Sequence, residues 1–92
     1  NGVILNLLDA TITFGEERLE LTKNEFKILE ILLEHSGKIV AREDIMKRLW
    51  ETDSYVDDNT LTVNVTRLRK KLEQVGLKDY IRTKKGVGYM VE

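Results

Sequence analysis

Side chains that could contact nucleic acid recur at helical spacing between residues 59 and 70. They point away from an apolar stripe whose leucines and valines fall three and four residues apart, on one helix face. The outward set is Asn59, Thr62, Val63, Thr66, Arg67 and Lys70. Hydrogen-bonding groups, a methyl-rich side chain and cations on one face suit a helix in a DNA major groove. The alternative is a solvated face, which is commoner for an isolated basic helix.

Each of these side chains has a chemistry that predicts a partner. Arg67 can pair bidentately with guanine O6 and N7, and Val63 suits a thymine methyl group. The other polar candidates are Thr62, Asn64 and Thr66 for bases or phosphates, and Arg69 and Lys70 for phosphates.

The segment TKKGVGY at residues 83–89 predicts a tight basic hairpin. Its glycines permit a tight turn and a close backbone approach to a polyanion, and Lys84, Lys85 and Gly86 form the tip. The third glycine and following helix of a dinucleotide site are missing. Taken alone, such a hairpin is more often structural, but after a polar-faced helix it is interpreted as a wing.

Charge is distributed unevenly along the 92 residues, although the net charge is only −1. Residues 1–66 carry seven Lys and Arg against thirteen Asp and Glu, whereas residues 67–92 carry eight against three. A basic stretch on an acidic body is consistent with a directional surface for nucleic acid, and equally with a solvated helix end.

Composition excludes several classes of site. Without cysteine and with one histidine, the chain offers no disulfide, thiolate metal site or histidine cluster, and we expect neither metal nor cofactor. No nucleophile–base pair or carboxylate dyad predicts an enzyme. No apolar run reaches the roughly 20 residues of a membrane span, so we expect a cytoplasmic protein without membrane contact. The chain does not begin with methionine, and we therefore expect a fragment of a longer protein.

Short strands followed by helices predict a single α+β domain over residues 1–92. Residues 3–21 favour a small antiparallel sheet, Thr22 and Glu25 form a capping box, and Gly37 marks the end of the first helix. The second helix is predicted at about Arg42–Trp50, with Trp50 in the core. The later elements are a third helix capped by Asp57 or Asp58 and closed near Gly76, and strands at Tyr80–Thr83 and Tyr89–Val91.

Three long segments of the chain resemble the C-terminal effector domain of OmpR/PhoB-family response regulators. They are LTKNEFKILEILLEHSGKIVAREDIMKRLW, YVDDNTLTVNVTRLRKKLE and YIRTKKGVGYMVE. The resemblance covers essentially all 92 residues. It implies a winged helix-turn-helix with a four-stranded N-terminal antiparallel sheet, three helices and a C-terminal β-hairpin wing. The run DNTLTVNV is most similar to the branch that responds to peptide antibiotics and cell-envelope stress.

The resemblance also implies roles for residues and partners. Carried over by position, bases are read by Thr62, Val63 and Arg67, phosphates are held by Asn64, Thr66 and Arg69, and the wing contacts are Thr83 and Lys85. Asn59, Thr66 and Lys85 stand where the family commonly has arginine. The loop presented to RNA polymerase comprises Glu51, Thr52, Asp53, Ser54, Tyr55 and Val56. The family binds direct repeats of double-stranded DNA as a tandem dimer, driven by an upstream receiver domain that a sensor kinase phosphorylates; that domain is absent from this chain.

The leading hypothesis from the sequence is therefore sequence-specific DNA binding by the output domain of a two-component regulator. The rival is a winged helix that serves only as a protein-interaction module, which the near-neutral net charge favours.

Overall fold

The computed structural model describes residues 2–92; Asn1, the first residue of the predicted domain, lies outside the described residues. The elements in chain order are β1 (Val3–Asn6), β2 (Thr11–Phe14), β3 (Glu17–Glu20), α1 (Lys23–Glu34), β4 (Val40–Ala41), α2 (Arg42–Glu51), α3 (Asp58–Gln74), β5 (Arg82–Lys84) and β6 (Gly88–Met90). None of the helices in this described range is long and apolar enough to cross a membrane.

The N-terminal sheet has three strands, in the order β1-β2-β3, with both pairs antiparallel. The prediction of a fourth strand is wrong for the described residues 2–92, because β1 and β2 are joined by a turn and β3 leads directly into the N-cap of α1. Residues 7–10 form a turn in which the Asn6 side chain accepts a bond from the Leu8 N–H at 3.1 Å. Leu21 then donates to the Ala10 carbonyl at 3.1 Å, and Thr22 already caps α1.

The C-terminal hairpin forms a second three-stranded sheet, in the order β4-β6-β5. The extended piece predicted at residues 39–41 supplies β4, whose Val40 lies opposite Tyr89. Within the hairpin, Thr83 lies opposite Tyr89. β5 is one residue shorter than predicted and begins two residues later than the expected start at Tyr80. β6 has the predicted three residues but begins one residue earlier than expected, at Gly88. The short β4 strand thus ties the hairpin to the start of α2.

The capping box at the start of α1 is confirmed. The Glu25 N–H donates to Thr22 Oγ1 at 3.2 Å, and the Thr22 N–H donates to Glu25 Oε1 at 2.9 Å. The helix ends at Glu34 with His35 as its C-cap, earlier than the predicted end at Gly37. Gly37 lies instead in the following turn, with φ +83°, and donates to the Val91 carbonyl at 2.7 Å.

One apolar core joins the three helices, β2 and the hairpin. From α1, Phe26, Ile28, Leu29, Ile31 and Leu32 are buried, and from α2, Ile45 and Leu49. The stripe predicted on α3 is confirmed for Leu61, Val65, Leu68 and Leu72, all at most 1% exposed. Burial of this stripe fixes which side of α3 faces outward.

Candidate nucleic-acid interface

The start of α3 is fixed by two carboxylates. Asp57 is the N-cap, and its Oδ1 accepts from the Thr60 N–H at 2.7 Å. Hydrogen bonding by Thr60 lowers the pKa of Asp57, so the anion and its favourable contact with the helix dipole persist at neutral pH. Asp58, in the first turn, forms an ion pair with Arg42 of α2 at 2.9 Å. The first turn of α3 is therefore held in place by α2.

The outer side of α3 is exposed, as the sequence predicts. Thr62, Val63 and Arg67 all face solvent, and Val63 is 45% exposed. The rest of the exposed outward set is Asn59, Thr66 and Lys70. An apolar side chain thus lies between hydrogen-bonding groups and cations on a bare helix face. This arrangement can contact both the methyl groups and the polar edges of bases.

The two outward threonine hydroxyls have their protons committed to the helix backbone. Thr66 Oγ1 donates to the Thr62 carbonyl at 2.9 Å, and Thr62 Oγ1 donates to the Asp58 carbonyl at 3.3 Å. The Thr66 oxygen therefore presents its acceptor lone pairs outward, whereas the Thr62 oxygen already accepts from Arg42 Nη2 at 2.8 Å and has one lone pair left. Donors on this face come from Arg67, Lys70 and the Asn59 amide.

Asn64 does not belong to the exposed set. It is only 9% exposed, and its amide donates to the Thr60 carbonyl one turn earlier, at 2.8 Å. Helix phase explains this placement, because Asn64 lies three residues after Leu61 and four before Leu68, both fully buried. The Asn64 side chain is therefore not exposed to make the predicted phosphate contact.

Arg69 and Thr83, both predicted to hold the DNA backbone, contact each other. Arg69 Nη2 donates to Thr83 Oγ1, and Arg69 Nε donates to the Ile81 carbonyl at 3.2 Å. The Arg69 guanidinium carbon also lies 5.6 Å from the centre of the Tyr89 ring. Arg69 is half-buried, whereas Thr83 is exposed. The α3 helix and the hairpin are joined through these contacts.

The wing tip carries two lysines, of which only Lys85 is fully exposed. Lys85 and Gly86 are exposed and Lys84 is half-buried, and the turn is closed by the Val87 N–H donating to the Lys84 carbonyl at 2.9 Å. Gly86 has φ +78°, a conformation that favours glycine. The tip can therefore present two lysines and backbone N–H groups to a polyanion.

Gly88 has a different role from the one suggested by its place in the basic segment. A Cβ at this position would lie 1.9 Å from the Val40 carbonyl oxygen of β4. The close approach that requires this glycine is to the protein's own backbone, where β6 pairs with β4.

Arg42 contributes to this surface although sequence reasoning assigned it no role. Its guanidinium donates from Nη2 to the Asp58 carbonyl at 2.7 Å and to Thr62 Oγ1 at 2.8 Å. It donates from Nη1 to the Tyr89 hydroxyl at 2.5 Å. The backbone N–H of Arg42 donates to the Val87 carbonyl at 3.1 Å. No sequence spacing could reveal this cluster, since its members come from three elements far apart in the chain.

The loop between α2 and α3 lies next to an exposed aromatic pair. Trp50 is 67% exposed and Tyr55 is 74% exposed, and their rings meet edge to face with centroids 6.1 Å apart. The core position predicted for Trp50 is therefore wrong. Trp50 directly follows the buried Leu49, and one residue turns a helix by about 100°.

The same loop is hydrogen-bonded to α1 through Lys27. Lys27 Nζ donates to the Thr52 carbonyl at 2.9 Å and to Ser54 Oγ at 3.3 Å. Desolvation lowers the pKa of Lys27. Ser54 and Val56 are buried, and Asp53 has φ +60°. Beside the loop lies an open groove of about 900 Å³. Its apolar lining is Met46, Trp50, Tyr55 and Val56, and its charged lining is four acids and Lys47.

Three helices with a hairpin packed beside the third define a winged helix-turn-helix domain. A family model described as the C-terminal domain of transcriptional regulatory proteins matches residues 15–91. The chain therefore belongs to the family of DNA-binding effector domains of OmpR/PhoB-type response regulators, which are not enzymes.

Individual relatives agree with the family match. The sensory transduction protein BceR of Halalkalibacterium halodurans is 47% identical over 91 residues, which are 99% of this chain and 39% of that protein. The chain thus spans about two fifths of that relative's length.

Solved structures extend the likeness to three dimensions. The C-terminal domain of the nisin resistance regulator NsrR, a lantibiotic response regulator, is 43% identical with a TM-score of 0.90 over 98% of this chain and 91% of that one. The resemblance to the branch that responds to peptide antibiotics is thereby confirmed. The DNA-binding domain of Klebsiella pneumoniae RstA, solved in complex with the RstA box, is 28% identical with a TM-score of 0.79 over 99% and 91%.

Proposed function

We propose that this domain binds double-stranded DNA sequence-specifically, with α3 in the major groove and the wing on the backbone or in the minor groove. The observation that carries the proposal is the exposed outer side of α3, where Val63 and Arg67 lie beside acceptor hydroxyls. Support also comes from RstA, a relative of the same fold that was solved with its DNA box.

Within this proposal the bases are read by Thr62, Val63 and Arg67. Arg67 pairs with guanine, and Val63 packs against a thymine methyl group. Thr62 accepts from an exocyclic amino group through its remaining lone pair, since its proton is directed at the Asp58 carbonyl and its other lone pair accepts from Arg42. These assignments predict an operator half-site that contains a guanine close to an A·T pair.

The backbone contacts come from cations and polar groups around that strip. We assign them to Asn59, Thr66 and Lys70 on α3, and to Lys84, Lys85 and Gly86 of the wing. Phosphate contacts position the domain without reading sequence. Relatives with arginine at residues 59, 66 and 85 would carry more positive charge here. We therefore expect the electrostatic, salt-dependent part of the DNA affinity to be smaller in this domain.

Gel shifts on DNA selected from a random pool test this proposal. The selected sequence should bind at least 10³-fold more tightly than scrambled DNA, and both affinities should fall steeply between about 50 and 200 mM salt. The selected pool would also give the spacing of direct repeats, which the proposed tandem dimer requires. No shift at low salt would contradict DNA binding.

The longer protein to which this domain is proposed to belong would supply its regulation. We propose an upstream receiver domain, phosphorylated by a sensor kinase, which drives pairing on promoter repeats in the cytoplasm. The loop at residues 51–56 is proposed to contact RNA polymerase. The exposed pair formed by Trp50 and the loop residue Tyr55 supports a protein contact there.

The second candidate, a winged helix that only binds protein, is favoured by that same aromatic pair. The two functions differ in which surface they need. If the domain binds only protein, no DNA should shift at low salt and substitution of Trp50 should abolish binding to the partner. If it binds DNA, substitution of Arg67 should weaken binding to the selected DNA, whereas substitution of Trp50 should leave that binding unchanged.

A further inference from the structure

The wing cannot hold its own position. Its strands β5 and β6 have three residues each, and an isolated two-stranded hairpin is marginally stable in water. Its orientation relative to the outer side of α3 must therefore come from contacts with the helices. On a domain that reads DNA with both elements, those contacts decide whether the two can bind at once.

Two arginines from different helices meet at Tyr89 in the wing. The guanidinium carbons of Arg42 and Arg69 each lie 5.6 Å from the centre of the Tyr89 ring, within the range of a cation–π contact. Tyr89 itself is only 4% exposed. A ring in contact with two guanidinium groups is restrained from both α2 and α3.

Hydrogen bonds fix the same three side chains. Arg42 donates to the Tyr89 hydroxyl at 2.5 Å, and Arg69 donates to Thr83, the cross-strand partner of Tyr89. Directly opposed residues share one face of an antiparallel pair, so Arg69 engages both strands of the wing at once. Its bond to the Ile81 carbonyl adds an anchor just before β5.

Arg42 extends this cluster to the base-reading end of α3. One of its terminal nitrogens donates to both the Asp58 carbonyl and Thr62 Oγ1, while the other reaches Tyr89. A single guanidinium group thus connects the first turns of α3 with β6.

We infer that Arg42 and Arg69 clamp Tyr89 and thereby hold the wing in register with α3 before DNA binds, so that they act as positioning residues. This inference rests on the proposed function for its effect on DNA. It revises the role of Arg69, because two of its nitrogens are engaged within the domain and a phosphate would have to displace those bonds. The wing's phosphate contacts then depend on Arg69 without being made by it.

The first test uses the domain without DNA. Arg69→Lys keeps the charge but removes the fork that donates to Ile81 and Thr83 simultaneously. Amide hydrogen exchange in β5 and β6 should rise by roughly five- to tenfold relative to α1, as expected for the loss of one or two hydrogen bonds. Tyr89→Phe, which keeps the ring and removes the hydroxyl, should give a smaller rise. The matched control Lys70→Arg should leave wing exchange unchanged.

The second test measures coupling on the selected DNA. Lys85→Ala should weaken binding several-fold in the wild-type background and less than twofold in the Arg69→Lys background, because a misplaced wing no longer presents Lys85. Lys70→Ala should cost the same factor in both backgrounds. Such non-additivity identifies coupled residues.

Distinct outcomes separate the two proposals. Unchanged wing exchange in Arg69→Lys, or an equal Lys85→Ala loss in both backgrounds, would overturn the clamp. Increased wing exchange in a protein that binds no DNA would support the clamp and contradict the proposed function.

Discussion

The outward and inward halves of α3 use the same kind of residue for opposite purposes. Four cations lie within five positions, and Arg67 and Lys70 are exposed whereas Arg69 and Lys71 are engaged inside the domain. No ion pair within residues 2–92 involves either exposed cation. Helix phase, not charge count, therefore determines which cations of α3 are available to a partner outside the domain.

Lys71 is the clearest inward cation. Its ammonium lies 2.6 Å from Glu25 Oε1, and Glu25 is only 1% exposed. Burial alone raises the pKa of Glu25, but hydrogen bonds from Lys71 and the Thr22 N–H lower it below its ordinary 4.5. One carboxylate therefore caps α1 and fixes α3 against it.

The largest expected effect comes from breaking this inward pair. Lys71→Ala should lower the free energy of unfolding by about 2–3 kcal/mol, because it leaves a buried carboxylate without its cation. The adjacent Lys70→Ala should change it by less than about 0.5 kcal/mol. Urea unfolding of both variants measures the difference, and equal midpoints would contradict the division of α3 into two halves.

A substitution in the outward half of α3 should weaken DNA binding without lowering stability. Arg67→Ala should weaken binding to the selected DNA by about 1–3 kcal/mol and relax preference at one base position. Its unfolding midpoint should match wild type. Equal losses on selected and scrambled DNA would remove Arg67 from base reading.

The wing should show a smaller effect that is independent of sequence. Lys84→Ala should lower affinity evenly for selected and scrambled DNA and reduce the slope of log K against log salt by roughly 1. Titrations at several salt concentrations measure the slope. A slope identical to wild type would mean that Lys84 meets no phosphate.

The smallest expected effect is on the stability of the domain at acid pH. Because the pKa of Glu25 is lowered in the folded state, its contribution to stability is complete above pH 4.5 and is lost as pH falls through the lower folded pKa. Glu25→Gln should therefore show a shallower loss of stability below pH 4.5 than wild type. If both proteins lost stability equally steeply below pH 4.5, Glu25 would have the same pKa in the folded and unfolded states.

Much of this architecture follows from sequence periodicity, and the exceptions have physical reasons. The capping box and the stripe of α3 were predictable because both depend on residues within one helix. Trp50 was misplaced because residue type was weighed above helix phase, and the same phase would have placed Asn64 inward. The Arg42 cluster was beyond prediction, since only tertiary packing brings its members together.

Dimethyl sulfate protection tests most directly whether the exposed side of α3 reads base edges, because the reagent methylates guanine N7 in the major groove. Wild-type domain on selected DNA should protect a guanine in each half-site, and Arg67→Ala, at saturating concentration, should lose that protection while still occupying the site. Guanines left unprotected by the wild type, or protected equally by Arg67→Ala, would contradict the account.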